Sequence, residues 1–325
     1  MISNRRRGST EGDEGMFWLF SGVYLGWGLG ANDAANVFGT GVASGVVKYR
    51  TAVILTAIFV IIGAYFEGSR GITTYGKLSD MDIITAFIAS LSAAITINVL
   101  TILALPVSTS QAIVGSIIAV GLVGTGINYS ILVKVLLSWV LNPVTAAIIS
   151  YILYRILGWL LEGKIKNVSV WSLIMKIGFF AAGIYGSYTL GANNVANATG
   201  IFVKAGIITS KAAAMIGGIA IGFGVLTYSK RVMLTVGGRI AHLSDFAALI
   251  AVLGQDITVH IFTWIGVPVS TSQAIVGAVM GVGLVKSSKA INFKVIGKIF
   301  IGWLSTPAAS LIITFVLLML HHIIL

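Results

Sequence analysis

Two stretches of the chain are near copies of each other: LPVSTSQAIVGSIIAVGLV, Leu105 to Val123, returns as VPVSTSQAIVGAVMGVGLV, Val267 to Val285. GANDAANVFGTGVASGVV, Gly30 to Val47, likewise returns as GANNVANATGIFVKAGII, Gly191 to Ile208. A third pair, Lys134 to Leu153 and Lys298 to Leu317, keeps its Trp and Pro in register. The offsets, 161 residues from Gly30 to Gly191 and 162 from Leu105 to Val267, are too long for a solenoid unit. A chain duplicated in this way is expected to fold as two related halves, 16–162 and 163–325, with 1–15 as an N-terminal tail.

The material between the motifs decides the solvent. Hydrophobic residues make up 57% of the chain and charged residues only 10%, against roughly 25% charged in soluble globular proteins. Met16 to Ala31, Thr51 to Tyr65, Ile83 to Leu105, Leu132 to Ile152 and Ser310 to Ile324 carry almost no charge, and several approach the ~20 residues that cross hydrocarbon as helix. Period-two alternation is absent, which favours a helical bundle over a β-barrel. Arg5, Arg6 and Arg7 precede the first apolar run, which leads into a polar motif without a cleavage signal and reads as a span. The net charge of +11 lies in links between apolar runs and is not interleaved with aromatics, so it does not mark a nucleic-acid surface. With no cysteine there is no disulfide, thiolate metal site or cysteine nucleophile.

Each half reads as a motif-bearing helix, a plain helix, two apolar runs meeting at PVSTSQ, and a last helix. Whether the middle pair is a re-entrant hairpin or two crossings, the number of spans per half is odd. The second half is therefore expected upside down relative to the first, giving an all-α integral membrane protein of two inverted repeats with broken helices and helical hairpins. More Lys and Arg fall on the face opposite the N-terminus, so the positive-inside rule places both termini outside the cytoplasmic membrane.

The motifs carry the chemistry. Gly22, Gly26 and Gly30, matched by Gly183, Ser187 and Gly191, give each first helix a smooth face for close packing. Packing does not explain Asn32, Asp33, Asn36, Asn193, Asn194 and Asn197, because polar side chains at membrane depth are costly unless they face a partner, water or ligand. PVSTSQ begins with proline and hydroxyl residues suited to a helix N-terminus, which presents backbone N–H groups and the positive end of the dipole to an anion. Two such ends meeting near the midplane would gather oxyanion ligands: Ser108, Thr109, Ser110, Ser270, Thr271 and Ser272, with Asn32, Asp33, Asn193 and Asn194. No Lys or Arg lies in the four motif cores, so an anion beside Asp33 needs bound cations to neutralise it. Hard oxygen ligands favour sodium, for which the candidates are Asp33, Asn36, Asn194, Asn197, Gln111 and Gln273, with Asn98 and Asp256 from the runs preceding the PVSTSQ motifs.

At these residues the chain resembles the inorganic phosphate transporter family, the sodium- or proton-coupled PiT carriers. The resemblance rests on GANDAAN, GANNVAN and the duplicated PVSTSQ, and the repeats extend over nearly the whole chain from Met16. It implies phosphate symport, usually with sodium, an inverted repeat with termini outside, and a homodimer in the lipid bilayer. Two departures stand out: Asn194 occupies a position where the family commonly has a second Asp, and Gln111 and Gln273 stand where some members carry His. The rival readings are proton coupling, transport of sulfate or another oxyanion, an anion channel, and a membrane enzyme. Four scattered histidines without metalloprotease spacing give the enzyme little support.

Other features are weaker. Gly71 to Lys77, GITTYGK, mimics a phosphate-binding loop, but Leu78 stands where magnesium needs Ser or Thr and no strand precedes it. Glu67, Asp80, Asp82 and Asp245 border loops and are expected to be solvated.

Overall fold

The computed structural model describes residues 17–102, 107–234, 243–286 and 293–324. The N-terminal tail and Pro106 lie outside this set. The first half supplies α1 (Phe20–Ala43), α2 (Tyr49–Glu67), a short α3 (Ser69–Gly76), α4 (Ile83–Ile102), α5 (Thr109–Val120, continued by a π-turn to Thr125) and α6 (Tyr129–Leu161). The second half supplies α7 (Val168–Lys204), α8 (Ser210–Tyr228), α9 (Asp245–Ile265), α10 (Thr271–Lys286) and α11 (Phe293–Ile324). Side chains cap several of these helices: Asn128, Asn167, Thr209 and Ser244 accept from the first-turn N–H groups of α6, α7, α8 and α9. Gly266 ends α9 at a φ of +77°, the left-handed turn that glycine adopts without strain.

Seven of these helices are long and apolar enough to cross a membrane, α2, α4, α6, α7, α8, α9 and the 301–324 part of α11. The motif helix α1 is not among them because its Gly, Asn and Asp lower its hydropathy, and it is instead buried over most of its length. The outer faces of α6 and α11 expose Val133, Leu137, Val140, Val144, Leu304 and Ile312, surface that suits lipid.

Contacts between equivalent helices show the inversion directly. A Cβ on Gly22, near the start of α1, would lie 2.6 Å from the Phe202 ring and 2.7 Å from the Ala198 carbonyl, near the end of α7. A Cβ on Gly41, at the other end of α1, would lie 3.0 Å from Phe179 in the first half of α7. The repeat-equivalent helices α1 and α7 thus run antiparallel.

The structure also resolves the middle pair of the first half. The Asn128 N–H, just past α5, donates to the Leu78 carbonyl at 2.9 Å, and the Ser79 hydroxyl donates to the Gly126 carbonyl at 2.9 Å. The chain leaves α5 beside the point where it entered α4, so α4 and α5 form an antiparallel helical hairpin with Val107 and Ser108 at its tip.

The halves are not packed as separate bodies. Helix α1 packs on α8, α2 on α7, α5 on α11 and α6 on α10, each pair joining one half to the other. Glycine makes these crossings possible in symmetric pairs. A Cβ on Gly30 would overlap the Ile221 carbonyl and one on Gly191 the Val60 carbonyl, while Gly63 and Gly224 stand in the same relation to Tyr188 and Trp27. Gly115 against the Pro307 backbone and Gly277 against the Pro143 backbone repeat the device where α5 and α10 meet the last helix of the opposite half.

Candidate functional site

The two hairpin tips meet in the interior and exchange hydrogen bonds. The Ser110 hydroxyl donates to the Val269 carbonyl at 3.2 Å, and its repeat equivalent Ser272 donates to the Val107 carbonyl at 2.8 Å. Ser108 and Ser270 do a different job: each hydroxyl accepts from the backbone N–H three residues on, Gln111 and Gln273, at 3.2 Å. These are N-caps, as the motif suggested, with α5 and α10 starting at Thr109 and Thr271. The dipole-positive ends of α5 and α10 therefore meet at one buried place.

Helices α1 and α7 cross this junction and lay their carboxamides against it. The Asn36 side chain donates to the Thr271 hydroxyl at 3.2 Å, and its equivalent Asn197 donates to the Ser110 hydroxyl at 3.1 Å and to the Asn194 carbonyl oxygen at 2.8 Å. Asn193 donates to the Val269 carbonyl at 2.7 Å and accepts from the Val269 N–H at 3.1 Å. Asn32 donates to Thr101 at 3.0 Å, while Thr263, the equivalent of Thr101, donates to Asn193 at 3.4 Å.

Asp33 is 3% exposed, lies near the Thr271 side chain, and makes no ion pair among the described residues. Its Oδ1 has no hydrogen-bond partner, and the same holds for Thr109 Oγ1, Gln111 Oε1, Gln273 Oε1 and Asn194 Nδ2. Buried polar atoms in native proteins are nearly always paired, and these orphans fall within the duplicated motifs where the sequence places its candidate site. The orphans are asymmetric: Thr271 Oγ1 accepts from Asn36, whereas its equivalent Thr109 Oγ1 has no partner, and Asn194 accepts through its Oδ1 but leaves its Nδ2 unpaired. Among the described residues no cluster of three or more His, Asp or Glu is placed to bind a metal.

The chain matches the model of the phosphate transporter family over residues 29–314. It belongs to that family. The chain is accordingly a multi-pass membrane transporter, with phosphate transport as its family function, and not an enzyme. A protein of Methanocaldococcus jannaschii described as a phosphate permease is 37% identical, with 92% of this chain and 95% of that protein covered. One of Pyrococcus furiosus with the same description is 31% identical over 90% and 93% of the two chains. The sulfate permease CysP of Bacillus subtilis is 28% identical over 93% of this chain and 86% of its own. A solved structure, "The sodium-dependent phosphate transporter", superposes with a TM-score of 0.81 over 94% of this chain and 99% of the other, at 24% identity, and so has the same fold.

Of the residues expected at the site, Asn32, Asp33, Asn36, Asn193, Asn194 and Asn197 and the two PVSTSQ tips are brought together. Asn98 and Asp256 are not. The Asn98 side chain donates to its own helix at Ala94 and lies against Gly28, a turn away from Asn32. Asp256 lies against Gly186, two turns from Asn193 and Asn194 on α7. Glu67, expected to be solvated, instead accepts from Tyr188 at 2.8 Å and Trp264 at 3.0 Å and lies 3.3 Å from His260.

Four residues that bond to the motifs escaped the sequence reading. Tyr75, fully buried on α3, donates to the Asn197 carbonyl oxygen at 2.6 Å; it sits inside the GITTYGK segment that had no loop role to play. Asn142 on α6 donates to the Ser270 carbonyl at 2.8 Å, fixing the second tip from the opposite half. Its signal was its place beside Pro143 in the third duplicated segment. Thr101 and Thr263 could have been found from their 162-residue offset.

Proposed function

We propose that the chain is a sodium-coupled symporter of inorganic phosphate, with phosphate and sodium held where the two hairpin tips meet α1 and α7. The observation that carries this reading is the orphaned Asp33 oxygen at the junction of two helix N-termini, where no basic side chain among the described residues pairs with it. Helix N-termini and hydroxyls suit an oxyanion. Beside a carboxylate, that oxyanion requires cations, and the acceptor-rich set of Asp33 Oδ1, Gln111 Oε1 and Gln273 Oε1 is made of hard ligands suited to sodium. In this reading Thr109, Thr271 and the tip N–H groups hold the substrate. Ser108 and Ser270 shape the helix ends, and Ser110 and Ser272 lock the tips together. The carrier alternates around this fixed centre, works as a homodimer and keeps both termini outside.

Sulfate is the second reading, favoured by the likeness to the sulfate permease of B. subtilis. Purified protein in proteoliposomes, given labelled phosphate under separately imposed sodium and proton gradients and challenged with sulfate, tests both. Sodium-driven phosphate accumulation that sulfate fails to displace is the expected outcome. Accumulation driven by protons alone, or efficient competition by sulfate, would replace the sodium or the phosphate assignment respectively.

A further inference from the structure

Asp256 lies outside the tip cluster and has no part in the proposed phosphate site, yet it is a carboxyl group only 1% exposed in the middle of a membrane protein. Its helix, α9, passes Gly186 of α7 so closely that a Cβ there would lie 2.5 Å from Oδ2 and 2.6 Å from Oδ1. Gly186 thus makes the space in which the carboxyl group sits. The neighbouring Gln255 donates its Nε2 to Asp256 Oδ1 at 2.7 Å. Two acceptors are then left over, Asp256 Oδ2 and Gln255 Oε1, both buried and without partners.

The ionisable groups on α9 and the helices packed against it do not neutralise this carboxyl. They include Asp33 on α1, Glu67 on α2, Arg70 on α3, Tyr154 on α6, Tyr185 and Tyr188 on α7, and His260 one turn along α9, with Asp245 at the start of α9, Tyr151 and Arg155 on α6 and Lys176 on α7 besides. Asp33 lies near Thr271 at the tip cluster, and Tyr154 donates to Glu162. Tyr185, Tyr188, His260, Glu67 and Arg70 bond or pair among themselves. Among the described residues, none makes an ion pair with Asp256.

A carboxylate can only accept hydrogen bonds, whereas a carboxylic acid has one donor. A single proton on Asp256 Oδ2 can donate to Gln255 Oε1 while Gln255 Nε2 donates to Oδ1, which closes a reciprocal acid–amide pair and satisfies both orphans at once. We infer that Asp256 is a proton-binding site, separate from the phosphate centre, in which Gln255 is the partner that holds the proton. This assignment does not depend on which ion accompanies phosphate.

Infrared spectroscopy of the whole protein in proteoliposomes at neutral pH tests it. The wild type should show a protonated-carboxyl C=O band that shifts in D2O and is missing from Asp256→Asn, whose amide can form the same reciprocal pair with Gln255 and should fold. Gln255→Leu supplies an independent check. There the band should persist and move to higher frequency, because the C=O loses its donor. No band difference between wild type and folded Asp256→Asn, an unmoved band in Gln255→Leu, or a wild-type band abolished by added sodium would each overturn the assignment. The last result would make Asp256 a cation ligand instead.

Discussion

Asn193 grips the backbone of Val269 from both sides, donating to its carbonyl at 2.7 Å and accepting from its N–H at 3.1 Å. A side chain of the second motif helix thereby pairs with the tip of the second hairpin much as a strand would, fixing the residues that precede the Ser270 cap. Asn193→Ala should strand both Val269 groups at a cost of about 1–3 kcal/mol each, less whatever water recovers. Thermal unfolding should therefore show a clearly lowered midpoint, with phosphate binding weakened. A midpoint equal to that of wild type would mean the clamp contributes nothing.

The two tip threonines separate stability from binding. Thr271 accepts from Asn36, whereas Thr109 Oγ1 has no protein partner. Thr271→Val should lower both unfolding temperature and phosphate affinity. Thr109→Val should leave unfolding unchanged and still reduce phosphate affinity by about tenfold, because a hydrogen bond to a charged group is worth ~1.5–3 kcal/mol. Calorimetric titration with phosphate alongside thermal unfolding distinguishes the two; undiminished affinity in Thr109→Val removes it from the site.

Glycine contacts between the halves make a second, independent set of expectations. Gly30→Ala and Gly191→Ala each push a methyl group into a backbone carbonyl of the opposite half, at Ile221 and Val60. Backbone cannot retreat as a side chain can, so each should destabilise by about 1–3 kcal/mol or more. Gly124→Ala, where a Cβ meets nothing within 4 Å, should be well tolerated. Detergent-solubilised unfolding curves compare the three; equal midpoints for Gly30→Ala and Gly124→Ala would contradict the packing account.

How much of this was readable in advance follows from what each feature depends on. The repeat, the inversion and the tip caps were legible because they are carried by residue identity at a fixed offset and by the odd number of spans. The roles within PVSTSQ were not, since Ser108, Thr109 and Ser110 differ only in which way each hydroxyl points once α5 has formed. Tyr75 reaches Asn197 across 122 residues of sequence, a contact no local pattern announces. Asp256 and Asn98 seemed to belong to the centre because they precede PVSTSQ. Asp256, however, is seven residues before Thr263 on α9, about 10 Å along a helix, and its partner Gly186 lies two turns below the motif on α7.

Topology follows from the antiparallel pairing of α1 and α7 together with the charge distribution. Ser44 follows the end of α1 and Thr209 follows the end of α7, both exposed, so cysteines placed there in this cysteine-free chain should be reached from opposite sides. Impermeant maleimide applied to intact cells should label Thr209→Cys and spare Ser44→Cys. Labelling of both from outside would contradict the inversion, and the reverse pattern would turn the whole molecule over.

In the proposed function, coupling would rest on Asp33, the only carboxylate in the four motif cores, with Asn194 at its repeat position. Asp33→Asn lessens repulsion toward phosphate but also deletes a hard ligand and the negative potential that holds sodium, and if the carboxylate ligates sodium the second effect dominates. The measurement is phosphate affinity of purified wild type and Asp33→Asn across a sodium titration, with thermal unfolding confirming that the variant is folded. Wild-type affinity should rise steeply with sodium while that of Asp33→Asn stays nearly flat; a folded variant with the wild-type sodium dependence would contradict the proposed role of Asp33 at the centre of the carrier.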